Sequence, residues 1–281
     1  MHKLILLILT AVALGGCRSQ PPTKHMLTLK LAVNDIYCTD TACACVHHVA
    51  ARTYTETQAL LKAEYGIDLQ LDYFVEPYNL EKAILAGNYD GALCKPWIAL
   101  RLEKDAGAEF EQVADILDPD NNRWLAGIVV VMADSTFQTL EELNGKAMLI
   151  GEEDAYEKHY AAKRLFQQNE IEFQRLETKA SCIENLGELM DGHFDAVVVS
   201  DYALTADCAV DFARPEDFRI LGKTEPVPLT SILLDTNKVS EKDRARLQAA
   251  LLAVSEKDTP ESLLSKGFVK PAVWSPVELE P

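Results

Sequence analysis

Three cysteines and two histidines crowd one short stretch, CTDTACACVHH, which holds Cys38, Cys43, Cys45, His47 and His48. Thiolates and imidazoles are the sulfur and nitrogen donors that zinc, copper(I) or arsenite take, so one reading is a soft metal or metalloid site. Its ligands would come from Cys43, Cys45, His47 and the distant His159. His47 and His48 are neighbours, and on a helix neighbours point about 100° apart, so at most one faces a shared ligand. The spacing matches neither a C-x-x-C-H haem attachment nor a zinc finger. A second reading is structural. In an oxidising compartment the thiols close disulfides, each stabilising a fold by roughly 2–4 kcal/mol. A third leaves them free or redox-active.

The N-terminus bears on the compartment. His2 and Lys3 precede an apolar run from Leu4 to Leu14, and Leu14-Gly15-Gly16-Cys17 ends it with small residues before a cysteine. That run is too short for the roughly twenty residues a membrane-spanning helix needs, and it reads as a processing segment. The small-small-Cys ending resembles the bacterial lipobox, which implies lipidation at Cys17. The alternative is an ordinary signal peptide with Cys17 incidental. Residues 1–17 are assigned to the leader and 18–26 to a polar, proline-containing tether. Export suits thiol pairing, and six cysteines remain beyond Cys17, enough for three disulfides in fifteen connectivities. Cys94 with one of Cys38, Cys43 or Cys45, and Cys182 with Cys208, are the pairings considered.

Composition narrows the function. The 281 residues carry 44 acidic and 27 basic side chains, a formal net charge of -17, with no long single-sign run. Nucleic-acid binding requires a basic patch that neutralises phosphates, and none is present in the sequence. The acidic balance suits a solvated surface. No Ser-His-Asp, nucleophile-elbow or P-loop signature stands out, so no catalysis is expected.

From residue 27 strand-like and helix-like segments alternate, the pattern of βαβ units and of an α/β fold. LTLKLAV is the first strand. A helix is expected over 46–65, stopped by Gly66, and another over 78–86. Pro96 opens a further helix at its first turn. WLAGIVVVMA and FDAVVVSD are long apolar strands, 154–169 is expected to be helical, and STFQTLEELNGK a short helix capped by Ser135 or Thr139. The order predicts two lobes with crossovers near 124–131 and 222–231. The first lobe spans 27–126, the second 127–224, and 225–281 returns to the first and adds C-terminal helices.

YNLEKAILAGNYDGALCKPW, GIVVVMADSTFQTLEELNGKAMLIGEEDAYEKHYAAKRLF and LMDGHFDAVVVSDYAL together resemble the periplasmic phosphate/phosphonate substrate-binding proteins of ABC importers. The resemblance runs over roughly 27–255. It implies the type II periplasmic-binding arrangement, a ligand cleft between lobes, a small-anion ligand such as a phosphonate, and an ABC permease as partner. It also implies a monomer outside the cytoplasm, held at the membrane by its lipid, with no resident cofactor. The sequence departs from the family after AMLIG. A Ser-rich anion-wrapping turn is replaced by GEEDAYEKH, whose acids Glu152, Glu153 and Asp154 either decorate the positive end of a helix or, if one of them faces the cleft, would repel a bare phosphate and favour a ligand with a cationic part. The alternative is a periplasmic sensor that detects a thiophilic metal or arsenite with cleft cysteines and signals to a membrane kinase.

Ligands of open α/β sheets bind beyond the carboxyl ends of the strands. That rule selects Tyr37, Thr39, Thr41 and Cys43 in the first loop, Cys94, Lys95 and Trp97 after the third strand, and Glu153 and Tyr156 after AMLIG. Ser181, Cys182, Ser200 and Asp201 complete the set. Thr39, Thr41, Ser181 and Ser200 serve either as oxyanion donors or as helix caps. Five of the six cysteines are expected to converge on the crevice.

Overall fold

The computed structural model describes residues 25–42, 51–205, 213–257 and 259–274. The chain starts with β1 (Leu27–Val33), α1 (Thr55–Leu60), a wider helical turn over Leu61–Tyr65, and β2 (Ile67–Tyr73). Gly66 ends that turn with a φ of 65°, a left-handed conformation that glycine adopts without Cβ strain. Next come α2 (Pro77–Leu85), β3 (Gly91–Cys94), α3 (Pro96–Ala106) and β4 (Phe110–Ile116). Both α2 and α3 begin on proline, where the missing N–H leaves no intrahelical bond unmade.

The chain crosses over at β5 (Trp124–Leu125) and builds β6 (Gly127–Met132), β7 (Ala147–Gly151), α4 (Tyr160–Gln168), β8 (Arg175–Lys179), α5 (Cys182–Met190), β9 (Ala196–Ser200) and β10 (Phe218–Lys223). It returns through β11 (Val227–Pro228) to β12 (Ser231–Asp235), α6 (Glu241–Lys257) and β13 (Phe268–Val269). The first sheet has the order β13-β4-β12-β3-β1-β2 and the second β10-β6-β9-β7-β8. The crossovers β5 and β11 pair antiparallel, Leu125 opposite Val227. This is the two-lobed α/β arrangement with two crossover strands that the sequence predicts.

Side-chain alternation explains the valine runs. In the second lobe Ile128 and Val130 face a core with Leu186 and Leu189 of α5, whereas Val129 and Val131 face one with Ala162 and Phe166 of α4. A sheet covered on both faces has no polar side, so β6 reads as continuous valine. In the first lobe Leu29, Leu31 and Val33 pack with Leu247 and Leu251 of α6, while Ala32 turns to Leu80, Ile98 and Leu102 under α2 and α3. Each fully buried aliphatic side chain contributes roughly 1.5–3 kcal/mol.

Two local expectations are corrected. Residues 152–159 form successive turns, and α4 starts only at Tyr160. The segment folds back on β7, with the Gly151 N–H donating to the Lys158 carbonyl at 3.2 Å and His159 Nδ1 lying 2.7 Å from the Gly151 carbonyl oxygen. These tertiary bonds override its helical propensity. The second is STFQTLEELNGK, which yields only a 3₁₀ turn at Glu141–Leu143. Its N-cap position is Leu140, with no side-chain cap, so neither Ser135 nor Thr139 caps it; instead Glu142 Oε2 accepts from the N–H groups of Gln138 and Thr139 just before the turn. Part of the helix expected over 46–65, with Cys43, Cys45, His47 and His48, lies outside the described residues, as do Cys17 and Cys208.

Candidate functional site

The carboxyl ends of β3, β7 and β9 meet at a buried carboxylate. Glu157, in the turns after β7, has a side chain only 1% exposed. Its Oε1 accepts from Ser200 Oγ at 2.8 Å and lies 3.4 Å from Lys95 Nζ, which comes from the first lobe at the exit of β3. Its Oε2 is buried with no hydrogen-bond partner. Beside it, buried Lys158 donates to the Ala180 carbonyl at 3.0 Å and lies 3.5 Å from Cys182 Sγ, which accepts from the Ser200 N–H at 3.4 Å. Burial by itself disfavours a carboxylate, but Lys95, Lys158 and the Ser200 hydroxyl outweigh it, and Glu157 is held below the usual carboxyl range. Lys158 is likewise held above its usual range despite its burial, by Cys182, Glu157 and Asp154. The result is an ionised cluster with one member supplied by the other lobe.

Glycine permits this packing. A Cβ on Gly127, the first residue of β6, would stand 2.3 Å from the Glu157 carbonyl oxygen, and one on Gly151 would stand 2.6 Å from Lys158 Cβ. Only hydrogen at these positions lets the loop lie on the sheet.

Aromatic contacts also join the lobes. Trp97, in the first turn of α3, donates its indole N–H to the Glu153 carbonyl at 3.1 Å. Its ring lies 4.6 Å from Tyr156 and 5.0 Å from Tyr160, and Tyr156 reaches Trp274 at 5.8 Å. Next to them an interlobe cavity of about 530 Å³ opens, lined by Glu76, Tyr78 and Arg101 of the first lobe and by Glu152, Glu153, Asp154 and His159 of the second. Four carboxylates face one guanidinium, and that guanidinium is already paired with Glu81. His159 adds no positive charge. Burial lowers its pKa, and its Nε2 lies 2.8 Å from the Lys163 ammonium.

Of the residues selected from sequence, Lys95, Trp97, Tyr156, Cys182 and Ser200 come together here, with Glu153 at the cavity wall. Asp201 stands 3.0 Å from Lys223 Nζ. Ser181 is the N-cap of α5, accepting from the Ile183 N–H at 3.2 Å. Thr41 is buried inside its own loop, where its hydroxyl donates to the Asp35 carbonyl and accepts from the Asp35 N–H. Thr39 is exposed, and its hydroxyl reaches the Arg52 carbonyl at 3.4 Å. Tyr37 is half-buried in the aromatic cluster, its ring 5.2 Å from the Arg52 guanidinium.

The three described thiols do not converge as expected, and Cys43 and Cys45 lie outside the described residues. Cys38, Cys94 and Cys182 are free and buried in three separate cores. Neither Cys94 nor Cys182 forms the disulfide considered for it. Among the described residues no group of three or more His, Cys, Asp or Glu side chains is arranged to hold a metal ion. Both ring nitrogens of His159 are engaged, so it offers no lone pair to a metal. Glu157, Lys158 and Arg101 escaped the sequence reading because charged residues in a charged segment read as solvated surface. For Glu157 and Lys158 the available signal was Gly151, which ends the buried strand before their segment.

A family of known proteins shares this architecture. Residues 47–272 match the model of the family described as ABC transporter, phosphonate, periplasmic substrate-binding protein. The chain belongs to this family. Its members deliver small-molecule ligands to ABC permeases from outside the cytoplasm. Among solved structures, XAC2383 from Xanthomonas citri bound to chloride superposes with a TM-score of 0.67 at 15% identity, covering 88% of this chain and 92% of the other. PhnD1 from Prochlorococcus marinus in complex with methylphosphonate gives 0.60 at 11%, covering 87% and 92%. The aliphatic sulphonate binding protein SsuA from Escherichia coli gives 0.57 at 16%, covering 82% and 72%. At these identities the likeness is one of fold. No curated protein matches. In this receptor the type II arrangement places the strand ends of both lobes around the Glu157 cluster.

Proposed function

We propose that the chain is a lipid-anchored receptor that captures a small oxyanion carrying a cationic group, such as an aminoalkylphosphonate, between its lobes and presents it to an ABC permease. The observation that carries this reading is the juxtaposition of two unlike charge environments. Around the buried Glu157 carboxylate, Lys95, Lys158 and Ser200 supply two ammonium groups and a hydroxyl, and beside them lies a cavity with four carboxylates and one paired guanidinium. Charge-assisted hydrogen bonds from ammonium and hydroxyl suit an oxyanion. The carboxylates of Glu76, Glu152, Glu153 and Asp154 suit an ammonium and repel a second negative charge. Family membership supports the oxyanion half, and the cavity supports the cationic half. Ligand closes the lobes to the extent that it binds the closed arrangement more tightly than the open one. The Leu-Gly-Gly-Cys sequence supports a lipid on Cys17.

Calorimetric titration tests the ligand class. An aminoalkylphosphonate is expected to bind more tightly than methylphosphonate, and methylphosphonate more tightly than inorganic phosphate. Inorganic phosphate binding as tightly as the aminoalkylphosphonate would overturn the charge argument.

A further inference from the structure

The Glu157 carboxylate has the coordination that an incoming oxyanion would seek. One oxygen is held by a hydroxyl of the second lobe at 2.8 Å and approached by an ammonium of the first at 3.4 Å. The group is tethered, ionised and wholly enclosed, and it sits where the ends of β3, β7 and β9 meet. It is also a poor fit, because its second oxygen is buried with no partner. A buried acceptor without a donor is penalised relative to one that is satisfied. We propose that Glu157 is an internal stand-in for the ligand's anionic head, occupying Lys95 and Ser200 and latching the lobes shut until an oxyanion displaces it.

This rests on the oxyanion reading above and adds the regulation of that same site. The Trp97 contacts to Tyr156 and to the Glu153 carbonyl lie on the same loop as Glu157, so the latch and the aromatic bridge move together. A receptor whose binding-competent state is a minor population binds more weakly by that fraction, and removing the stand-in lifts the penalty. Displacement breaks the hydrogen bond from Ser200 and the ion pair with Lys95, and the ligand re-forms both.

The test compares Glu157→Gln and Lys95→Gln with the wild type, using small-angle scattering without ligand and calorimetry with methylphosphonate. Thermal melts establish that each variant is folded. Both variants sever the interlobe pair, so both are expected to expand in scattering. Their affinities should move in opposite directions, with E157Q binding about tenfold tighter and K95Q losing at least as much. Weaker binding by folded E157Q would show that Glu157 contacts the ligand and would overturn the proposal. So would two variants as compact as the wild type. If neither methylphosphonate nor an aminoalkylphosphonate binds any of the three proteins, the oxyanion reading fails and the stand-in role falls with it. Expansion of E157Q would then still establish the latch, and its absence would remove that too.

Discussion

Asp35→Asn probes how the first cleft loop is anchored. The Asp35 carboxylate is completely buried at the exit of β1 and lies 2.9 Å from the Arg52 guanidinium, which is 1% exposed. It accepts a second bond from the Tyr54 hydroxyl at 2.6 Å and a third from the Tyr37 N–H at 3.2 Å. The other Arg52 nitrogens donate to the carbonyls of Leu263, Leu117 and Leu264, so the guanidinium ties the loop to the C-terminal segment. Burial by itself would lower the Arg52 pKa, but Asp35 and Tyr54 more than offset it and the group stays charged. Burial beside Asp35 pushes the Tyr54 phenol well up, so it remains a donor. An asparagine of the same shape removes the countercharge and presents an amide donor where acceptors are required. Breaking one side of a buried pair costs about 3–5 kcal/mol. For a chain of this size each kcal/mol lowers the midpoint by roughly 2–4 °C, so the expected drop is ~6–20 °C. Thermal and urea denaturation followed by circular dichroism measures it. D35N combined with Arg52→Met should be more stable than the two single losses summed, because no buried charge is left unpaired. A D35N protein within about 1 kcal/mol of the wild type would refute the reasoning.

Two further outcomes are expected. His159 is held neutral in the folded state, its pKa lowered from 6.5 chiefly by burial and also by Lys163, so the unfolded chain binds the proton more readily. Stability is therefore full above about 6.5 and falls as pH drops below it, and H159Q should flatten that part of a denaturation profile taken from pH 7.5 to 5. Cys38 and Cys94 are buried thiols whose pKa values burial pushes up, so little thiolate is available at neutral pH. Mass spectrometry after brief iodoacetamide treatment should find both unmodified in the native protein and both alkylated in guanidinium. Labelling of Cys94 in the folded state would contradict its placement under α2 and α3.

Much of the fold was legible because it rests on short-range chemistry. Valine runs at 127–132 and 196–200 announce strands covered on both faces, Gly66 and Pro96 mark helix ends, and the alternation of elements announces two α/β units. Even the burial of Cys94 follows from strand alternation, since its neighbour Leu93 faces the opposite core. The convergence expected of the thiols neglected that alternation. Nearness to a strand's end says which rim a residue approaches, whereas its parity along the strand says which face it enters.

By itself, the amino-acid order determined the α/β class and the two crossovers, since each depends on periodicity and turn chemistry within a few residues. Which charges would be buried was decided only by tertiary structure. Glu157 meets Lys95 across 62 positions and Ser200 across 43, and Arg52 meets Leu263 across 211. A charged side chain is tolerable in an interior only when distant segments bring it a partner. That partnership is a property of the assembled lobes, invisible to any local window.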